Sequence, residues 1–372
     1  MHLPTFDYQP LGRVICEAGG IRRLGQVCRD LGGTRVLLVT DPGLEHAGHP
    51  QRAEGSLRES GIEVSVFDAV RENPSDREVA VGAAAARSHA ADLIVAVGGG
   101  SAMDCAKGIN FVYTNGGKMA DYVGHGKATK PMRPSVGIPT TSGTGSEAQS
   151  FALITDDSTH VKMACGDVKA AFRVSILDPE LTVTQPRFVT AATGIDALAH
   201  AVESFVCTKA NPVSRAFSRI AFENLEPNFE RVLAEPGDVK ARAAMQIGAY
   251  FAGSAIEASM LGVCHSCANP LTAHYGLTHG VAIGIMLPHV VRYNAAVADP
   301  CYRALFGGAD RLADRLGGFV HTAGLPTRLK DCGVTASILP VLADEASRQW
   351  TARFNPRPPT ESDILELYQA AL

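Results

Sequence analysis

A carboxylate and an imidazole in the second half of the chain have the spacing of a pair of metal ligands. Asp196 and His200 lie four residues apart in the segment GIDALAHAVE (194–203). In a helix this spacing places both side chains on the same face. Together they form half of a candidate divalent-metal site. The alternative is an ordinary hydrogen-bonded pair.

A group of histidines farther along the chain supplies candidates for the other half. His265, His274 and His279 lie within the segment GVCHSCANPLTAHYGLTHG (262–280), although the whole chain has only 12 histidines. A proline and a glycine interrupt the segment between them. His265 and His279 can therefore lie on different elements and converge on one ion.

A glycine turn in the first half has the features of a phosphate-binding site. The apolar run LIVAVG is followed by Gly99, Gly100 and Ser101 and then by an alanine-containing helical segment. Glycines allow a phosphate to approach the backbone, and the helix start offers free N–H groups. The pattern differs from the G-x-G-x-x-G fingerprint, so a structural turn is the alternative.

Two further segments, each at or after a predicted strand end, could contact a nucleotide. Asp41 ends the apolar run RVLLVTD (35–41), where a carboxylate can accept two ribose hydroxyls and repel a 2′-phosphate. Such an acid favours NAD over NADP. The alternative is that Asp41 only starts the turn at Pro42 and Gly43. The loop IPTTSGTGSE (138–147) is rich in hydroxyl groups and glycine. It is either a nucleotide contact or a turn-rich linker.

The elements that must position these residues change character midway along the chain. In the first half, strand patterns at 35–41, 62–68, 93–100 and 134–141 alternate with helical patterns at 50–61 and 76–90. This alternation predicts a parallel sheet that is covered on both faces. From about residue 190 the apolar residues recur at helical spacing. We therefore expect an α/β domain over 1–185 and an all-helical domain over 186–372.

Composition excludes several classes of function. Of 372 residues, 46% are hydrophobic and 19% are charged, and the net charge is −4. The chain has no basic run suited to nucleic acid and no apolar stretch of the roughly 20 residues that a membrane helix needs. Its start lacks the pattern of a secretory leader. The nine cysteines are odd in number and scattered, which favours the reducing cytoplasm.

Several motifs in the same order resemble those of the iron-containing (group III) alcohol dehydrogenases. They are VTDPGL near residue 40, GGGSAMDCAK at 98–107, PTTSGTGSE at 139–147, TAATGIDALAHAVE at 190–203 and LTHGVAIGIMLPHVVRYN at 277–294. The resemblance implies an N-terminal α/β dinucleotide-binding domain and a C-terminal all-α metal-binding domain, an arrangement similar to dehydroquinate synthase. It also implies a homodimer or larger homo-oligomer that interconverts a small alcohol and its aldehyde or ketone by hydride transfer.

The resemblance implies a role for each motif residue. The implied metal ligands are Asp196, His200, His265 and His279. The implied cofactor contacts are Asp41, Asn73, Gly99, Gly100, Ser101, Thr140, Thr141 and Lys162. NAD is the expected cofactor rather than NADP. The ligand set favours Fe²⁺, while Zn²⁺ also suits imidazole ligands.

One position departs from the family pattern. Many members have a histidine four residues after the third metal ligand, whereas this chain has Asn269. Asparagine forms hydrogen bonds but does not titrate near neutral pH. We consider Asn269 and His274 as candidate catalytic residues, with His274 as a substitute proton relay or with the proton leaving through water. The alternatives are a glycerol or polyol dehydrogenase, a maleylacetate-type reductase, and a weakly catalytic protein that binds NAD and metal.

Overall fold

The computed structural model describes residues 6–159 and 161–372. Contacts within the chain divide it into two compact units. The α/β unit contains Gln9–Thr141 and Gly145–Gln185. The helical unit contains Pro186–Leu372, the short segment Ser142–Thr144 and the described residues before Gln9.

The α/β unit is built on a six-stranded parallel sheet and has a second, smaller sheet. Its strands are β1 (Arg13–Cys16), β2 (Arg35–Val39), β3 (Glu63–Phe67), β4 (Leu93–Gly98), β5 (Gly124–His125), β6 (Ser135–Pro139), β7 (Phe151–Thr155), β8 (Lys162–Gly166) and β9 (Val174–Leu177). The large sheet has the order β1-β9-β6-β4-β2-β3, and all its pairings are parallel. The small sheet has the order β5-β8-β7, with β7 and β8 antiparallel.

Helices cover the large sheet on both faces. They are α1 (Leu24–Asp30), α2 (His49–Glu59), α3 (Asp76–His89) and α4 (Gly100–Asn115). Alternate residues of a strand point to opposite faces. In β2, Val36 and Leu38 join a core with α1 and α2, whereas Leu37 and Val39 join a core with α3 and α4. The continuous apolar runs of the sequence therefore correspond to strands that are buried on both sides.

The direction of chain winding reverses between β2 and β4. From β2 the chain passes outward to the edge strand β3, and β4 then pairs with the other side of β2. In open α/β sheets, ligands bind outside the carboxyl ends of the strands at such a switch point. Asp41 follows β2, and the glycine turn follows β4. The topology thus brings the two segments to the same end of adjacent strands.

The helical unit contains eight α-helices around one hydrophobic core within the described residues. They are α5 (Arg187–Val206), α6 (Pro212–Ala234), α7 (Val239–Glu257), α8 (Val263–Tyr275), α9 (His279–Phe306), α10 (Ala309–Ala323), α11 (Leu339–Ser347) and α12 (Glu361–Ala371). Helix α5 is central, and almost every residue after Val189 is buried. Gly280 allows α9 to approach it closely, because a Cβ at Gly280 would lie 2.0 Å from the carbonyl oxygen of Ala192.

Helix α9 has the length and apolarity of a membrane span. It has 28 residues, but 67% of its most apolar window is buried inside the helical unit. The buried core helix of a folded domain has the same composition. It is the single described helix that passes this test.

The predicted fold class, a parallel α/β domain followed by an all-helical domain, is confirmed. The sequence interpretation omitted β1, β9 and the small sheet. Strands β1 and β9 have four residues each and β5 has two, which leaves few positions for a periodic pattern. The domain boundary predicted near residue 185 also assigns Ser142–Thr144 to the α/β domain. The structure groups this segment with the helical unit, where Gly143 packs against Thr193.

Candidate metal and nucleotide sites

Helix α5 presents a carboxylate and an imidazole side by side. Asp196 and His200 are one turn apart, and each is only 6% exposed. The Oδ1 atom of Asp196 lies 3.3 Å from Nε2 of His200. Burying both polar groups is costly unless they have a partner.

Two other helices bring histidines to this pair. His265 lies in the first turn of α8, and His279 is the first residue of α9. The Nε2 atoms of the two rings lie 3.4 Å and 3.7 Å, respectively, from Oδ1 of Asp196. The His265 ring centroid is 4.9 Å from that of His200 and 5.4 Å from that of His279. The structure thus brings the four predicted metal ligands together.

The atoms at the centre of this cluster fit a divalent cation. The ligand atoms of Asp196, His265 and His279 lie within 4.8 Å of one another. Asp196 Oδ1 and His265 Nε2 are buried, and neither has a hydrogen-bond partner among the described residues. Buried polar atoms without partners are rare in folded proteins. A carboxylate with three imidazoles is a ligand set suited to Fe²⁺ or Zn²⁺.

The members of this cluster shift one another's ionisation. Burial raises the pKa of Asp196, but the neighbouring histidines outweigh this effect and hold it well below its ordinary range. Burial lowers the pKa of His200 to about 4, against the opposing effect of Asp196. Burial also disfavours the charged form of His265, yet Glu203 and Asp196 together raise its pKa to about 9. The carboxylates therefore make the site strongly attractive to positive charge.

Glu203 is a residue of the site that the sequence interpretation missed. It is 3% exposed and contacts Nδ1 of His265 through Oε2. Its other oxygen, Oε1, accepts a hydrogen bond of 2.8 Å from the backbone N–H of Cys264. Glu203 follows Asp196 by seven residues, so both lie on one face of α5. This seven-residue spacing is a signal in the sequence from which Glu203 could have been identified.

The two candidate catalytic residues of α8 have different positions. Asn269 follows His265 by one turn and shares its face, and its Nδ2 donates to Oε1 of Gln349 at 3.2 Å. His274 follows His265 by nine residues, a rotation of about 180° at 3.6 residues per turn. It is exposed, and its Nε2 lies 2.9 Å from a carboxylate oxygen of Glu345. The structure does not bring His274 to the four clustered ligands.

In the α/β unit, the predicted phosphate turn lies at the start of α4. Gly99 is the N-cap residue of α4, so Gly100 and Ser101 form its first turn. The N–H of Thr140 donates to the carbonyl oxygen of Gly98 at 2.9 Å. A Cβ at Gly99 would lie 3.3 Å from Cγ2 of Thr141. The structure therefore brings the glycine turn and both threonines together.

Asn73 contacts the start of α4 directly, and Lys162 is linked to Asn73 through the small sheet. Asn73 has a left-handed backbone (φ 55°), and its N–H donates to Oγ of Ser101 at 3.3 Å. The carbonyl oxygen of Asn73 accepts a hydrogen bond of 3.3 Å from the hydroxyl of Thr155, which pairs with Lys162 across β7 and β8. These contacts form a continuous connection from α4 to Lys162.

Asp41 lies beside the glycine turn. A Cβ at Gly98 would lie 3.3 Å from Oδ2 of Asp41, and Gly98 has a φ of +155°. Burial raises the pKa of Asp41, while the backbone N–H groups of Gly43 and Leu44 oppose the shift. The carboxylate is therefore at the carboxyl end of β2, facing the turn after β4.

Lys107 is a second residue that the sequence interpretation missed. It lies on α4, and its ammonium group is completely buried. Nζ donates to the carbonyl oxygen and the hydroxyl of Ser146, each at 2.7 Å, and to the carbonyl oxygen of Phe151 at 2.6 Å. It also lies 3.6 Å from Oδ1 of Asp104. Lys107 thus ties the hydroxyl-rich loop to the helix that carries the glycine turn.

The chain is similar over nearly its whole length to proteins named as alcohol-oxidising dehydrogenases. The chain is 35% identical to 1,3-propanediol dehydrogenase of Klebsiella pneumoniae, with all of both chains covered. It is 34% identical to the NAD-dependent methanol dehydrogenase of Bacillus methanolicus, covering 95% of this chain and 96% of that one. A solved 1,3-propanediol oxidoreductase has a TM-score of 0.95 and 35% identity, covering 99% of this chain and 100% of that one.

Two family models match nearly the whole length of the chain. The model of iron-containing alcohol dehydrogenases matches residues 12–179, which lie in the α/β unit apart from Ser142–Thr144. The model of the C-terminal part of the Fe-containing alcohol dehydrogenase family matches residues 190–372. The chain therefore belongs to the iron-containing alcohol dehydrogenase family of oxidoreductases.

Proposed function

We propose that this chain interconverts a small alcohol and its aldehyde or ketone, using NAD and one divalent cation. The observation that carries the proposal is the convergence of four ligands from three helices. They are Asp196, His200, His265 and His279, and their Nε2 and Oδ1 atoms face one another in a cluster whose first three members are buried and whose fourth, His279, is 30% exposed. Fe²⁺ is the proposed ion, with Zn²⁺ as the alternative that imidazole ligands also accept.

The cation would supply Lewis-acid chemistry, lowering the pKa of a substrate hydroxyl. The helical unit contributes a fixed arrangement of ligands and a polar group one turn away. Asn269 shares a helix face with His265, so its amide can orient a hydroxyl group but cannot take up its proton. His274 projects from the opposite side of α8. We therefore propose that the proton of the alcohol leaves through water.

NAD would supply the nicotinamide that accepts the hydride. The N-terminus of α4 provides backbone N–H groups and the positive end of the helix dipole for the pyrophosphate, at Gly99–Ser101. Asp41 would accept hydrogen bonds from the adenosine ribose and repel a 2′-phosphate, which favours NAD over NADP. The remaining proposed contacts are Asn73, whose N–H donates to Ser101, Thr140 and Thr141 beside the glycine turn, and Lys162 on β8.

We further propose that the enzyme is a cytoplasmic homodimer or larger homo-oligomer. The cytoplasmic proposal is supported by the nine cysteines, which form no disulfide among the described residues. Most of them are buried, where a thiol acts as a small apolar side chain. The oligomer is proposed from the family resemblance, and size-exclusion chromatography with light scattering tests it.

A turnover assay tests the function directly. The purified enzyme is supplied with Fe²⁺ or Zn²⁺ and assayed for NADH formation with methanol, ethanol, propanol and 1,3-propanediol, with NAD and NADP in parallel. We expect cation-dependent oxidation of at least one of these alcohols, with higher kcat/KM for NAD. If no alcohol is oxidised and no aldehyde is reduced with either ion, the proposed activity is wrong.

A further inference from the structure

We propose that Glu203 is a positioning residue that holds His265 in the orientation and tautomer needed to bind the cation. The proposal rests on the cation site of the proposed function. It goes beyond that site because Glu203 does not present an oxygen to the ligand cluster. Both of its oxygens are engaged with the start of α8.

The geometry gives Glu203 two contacts that fix His265. Oε2 contacts Nδ1 of the ring, and Oε1 accepts from the backbone N–H of Cys264 at 2.8 Å. One carboxylate thus binds both the side chain of His265 and the backbone immediately before it. With Nδ1–H donating to Glu203, the lone pair of the ring is on Nε2, the atom that lies 3.4 Å from Asp196 Oδ1.

The start of α8 is shaped to admit this carboxylate. Gly262 is the N-cap residue of α8, and a Cβ there would lie 2.9 Å from Oε1 of Glu203 and 2.8 Å from Oδ1 of Asn355. Asn355 is itself 1% exposed, and its Oδ1 accepts from the N–H of Val263 at 3.3 Å. The first N–H groups of the helix, which lack intrahelical partners, are therefore satisfied by two buried side chains.

The negative charge of Glu203 affects how strongly His265 can bind a cation. A carboxylate that accepts from the distal nitrogen of a ligating histidine fixes the ring and increases its basicity. Glu203 is 3% exposed, so water does not screen this interaction. Loss of such an outer carboxylate typically lowers metal affinity by about 10- to 100-fold. We expect the same range here.

The test uses Glu203→Gln and direct titration of the cation-free enzyme with Zn²⁺ against a chelator of known affinity. The glutamine has nearly the same shape, but only one of its two terminal atoms accepts a hydrogen bond. Its NH₂ group must then face either the Cys264 N–H or the His265 Nδ1–H. We expect the dissociation constant for Zn²⁺ to rise at least tenfold.

Ser218→Ala is the matched control. Ser218 is also fully buried in the helical unit, and its hydroxyl donates to the carbonyl oxygen of Ser214 at 2.9 Å and lies 2.8 Å from Oγ of Ser204. This variant removes buried hydrogen bonds without touching His265. We expect its Zn²⁺ affinity to remain within about twofold of wild type, even if both variants lower the unfolding midpoint equally.

The outcomes separate the two proposals. If wild type binds one Zn²⁺ and Glu203→Gln binds it equally well, the role of Glu203 is overturned while the cation site stands. If wild type binds no Zn²⁺ or Fe²⁺, the proposed function and this proposal both fail. Should Glu203→Gln not fold, Glu203→Asp keeps the charge but is one methylene shorter, and an unchanged affinity in that variant would overturn the proposal.

Discussion

Replacing Lys107 by methionine removes a buried ammonium group that connects α4 to the hydroxyl-rich loop. Nζ makes three hydrogen bonds of 2.6–2.7 Å, to two oxygens of Ser146 and to the carbonyl oxygen of Phe151. It also lies 3.6 Å from the carboxylate of Asp104. The methionine side chain is about as long as that of lysine and matches its apolar methylene stem. The substitution therefore removes the charge and the hydrogen-bond donors while keeping most of the packing.

The buried contacts of Lys107 determine how much stability the substitution should remove. Burial raises the pKa of Asp104, and Lys107 is the leading group that opposes this shift. Removing one partner of a buried ion pair typically costs about 3–5 kcal/mol, because the other charge remains buried. Each acceptor that loses its donor adds a penalty of about 1–3 kcal/mol, although such terms are not additive. We therefore expect Lys107→Met to lower the stability of the α/β unit by at least about 3 kcal/mol.

Native-state hydrogen exchange measures this change within the α/β unit. The free energy of exchange at amides of β4 and β6 should fall by at least about 3 kcal/mol. The KM for NAD should rise about tenfold, which is equivalent to 1.4 kcal/mol. Trp350 is the single tryptophan and lies in the helical unit, so its fluorescence reports that unit separately.

Arg23→Met provides the control on the same unit. Arg23 pairs with Glu17 at 3.2 Å, and both side chains are 45% exposed. Exposed ion pairs contribute about 0–1 kcal/mol. If Lys107→Met and Arg23→Met lower the exchange free energy equally, or if neither changes the KM for NAD, the role assigned to Lys107 is wrong.

Three further predictions concern the cofactor, the proton and pH. Asp41→Gly should improve kcat/KM for NADP relative to NAD by about tenfold, or 1.4 kcal/mol, and an unchanged ratio would remove Asp41 from the cofactor site. Asn269→His adds a titratable group beside His265, so the kcat/KM profile should gain an ionisation near neutral pH. An unaltered profile would mean that the proton takes a route independent of position 269. Burial raises the pKa of Asp92, but hydrogen bonds from Thr34 and Arg35 outweigh it and lower that pKa. The stability that Asp92 contributes is thus present above about pH 4 and lost as pH falls, and urea midpoints of Asp92→Asn should lack this part of the acid slope.

Much of the α/β unit was predictable because its signals are local. The run before Gly98 is apolar throughout and ends in glycines, which indicates a buried strand followed by a turn. Asp41 ends a similar run. That the two segments lie at neighbouring strand ends depends on the order of the strands in the sheet, which the sequence does not display. The structure supplies it through the pairing of β2 with β4.

Only part of the candidate metal site could be predicted from residue spacing. Asp196 and His200 were recognisable from their spacing of four residues. Glu203 contacts a residue 62 positions away, and Lys107 contacts one 39 positions away. Spacing along α5 places Glu203 on the face of Asp196, but local spacing identifies neither of these distant partners. His274 lies close to His265 in sequence, but the rotation of α8 turns its side chain to the opposite side.

X-ray absorption at the zinc edge tests whether Asp196 and the three histidines hold one cation. The cation-free enzyme is loaded with one equivalent of Zn²⁺ per chain, and the ligand shell is counted from the extended fine structure. We expect three imidazole nitrogens at about 2.0–2.1 Å, with one carboxylate oxygen at about 2.0–2.2 Å. A shell with sulfur ligands, or with fewer than two imidazoles, would contradict a cation held by Asp196 and the three histidines.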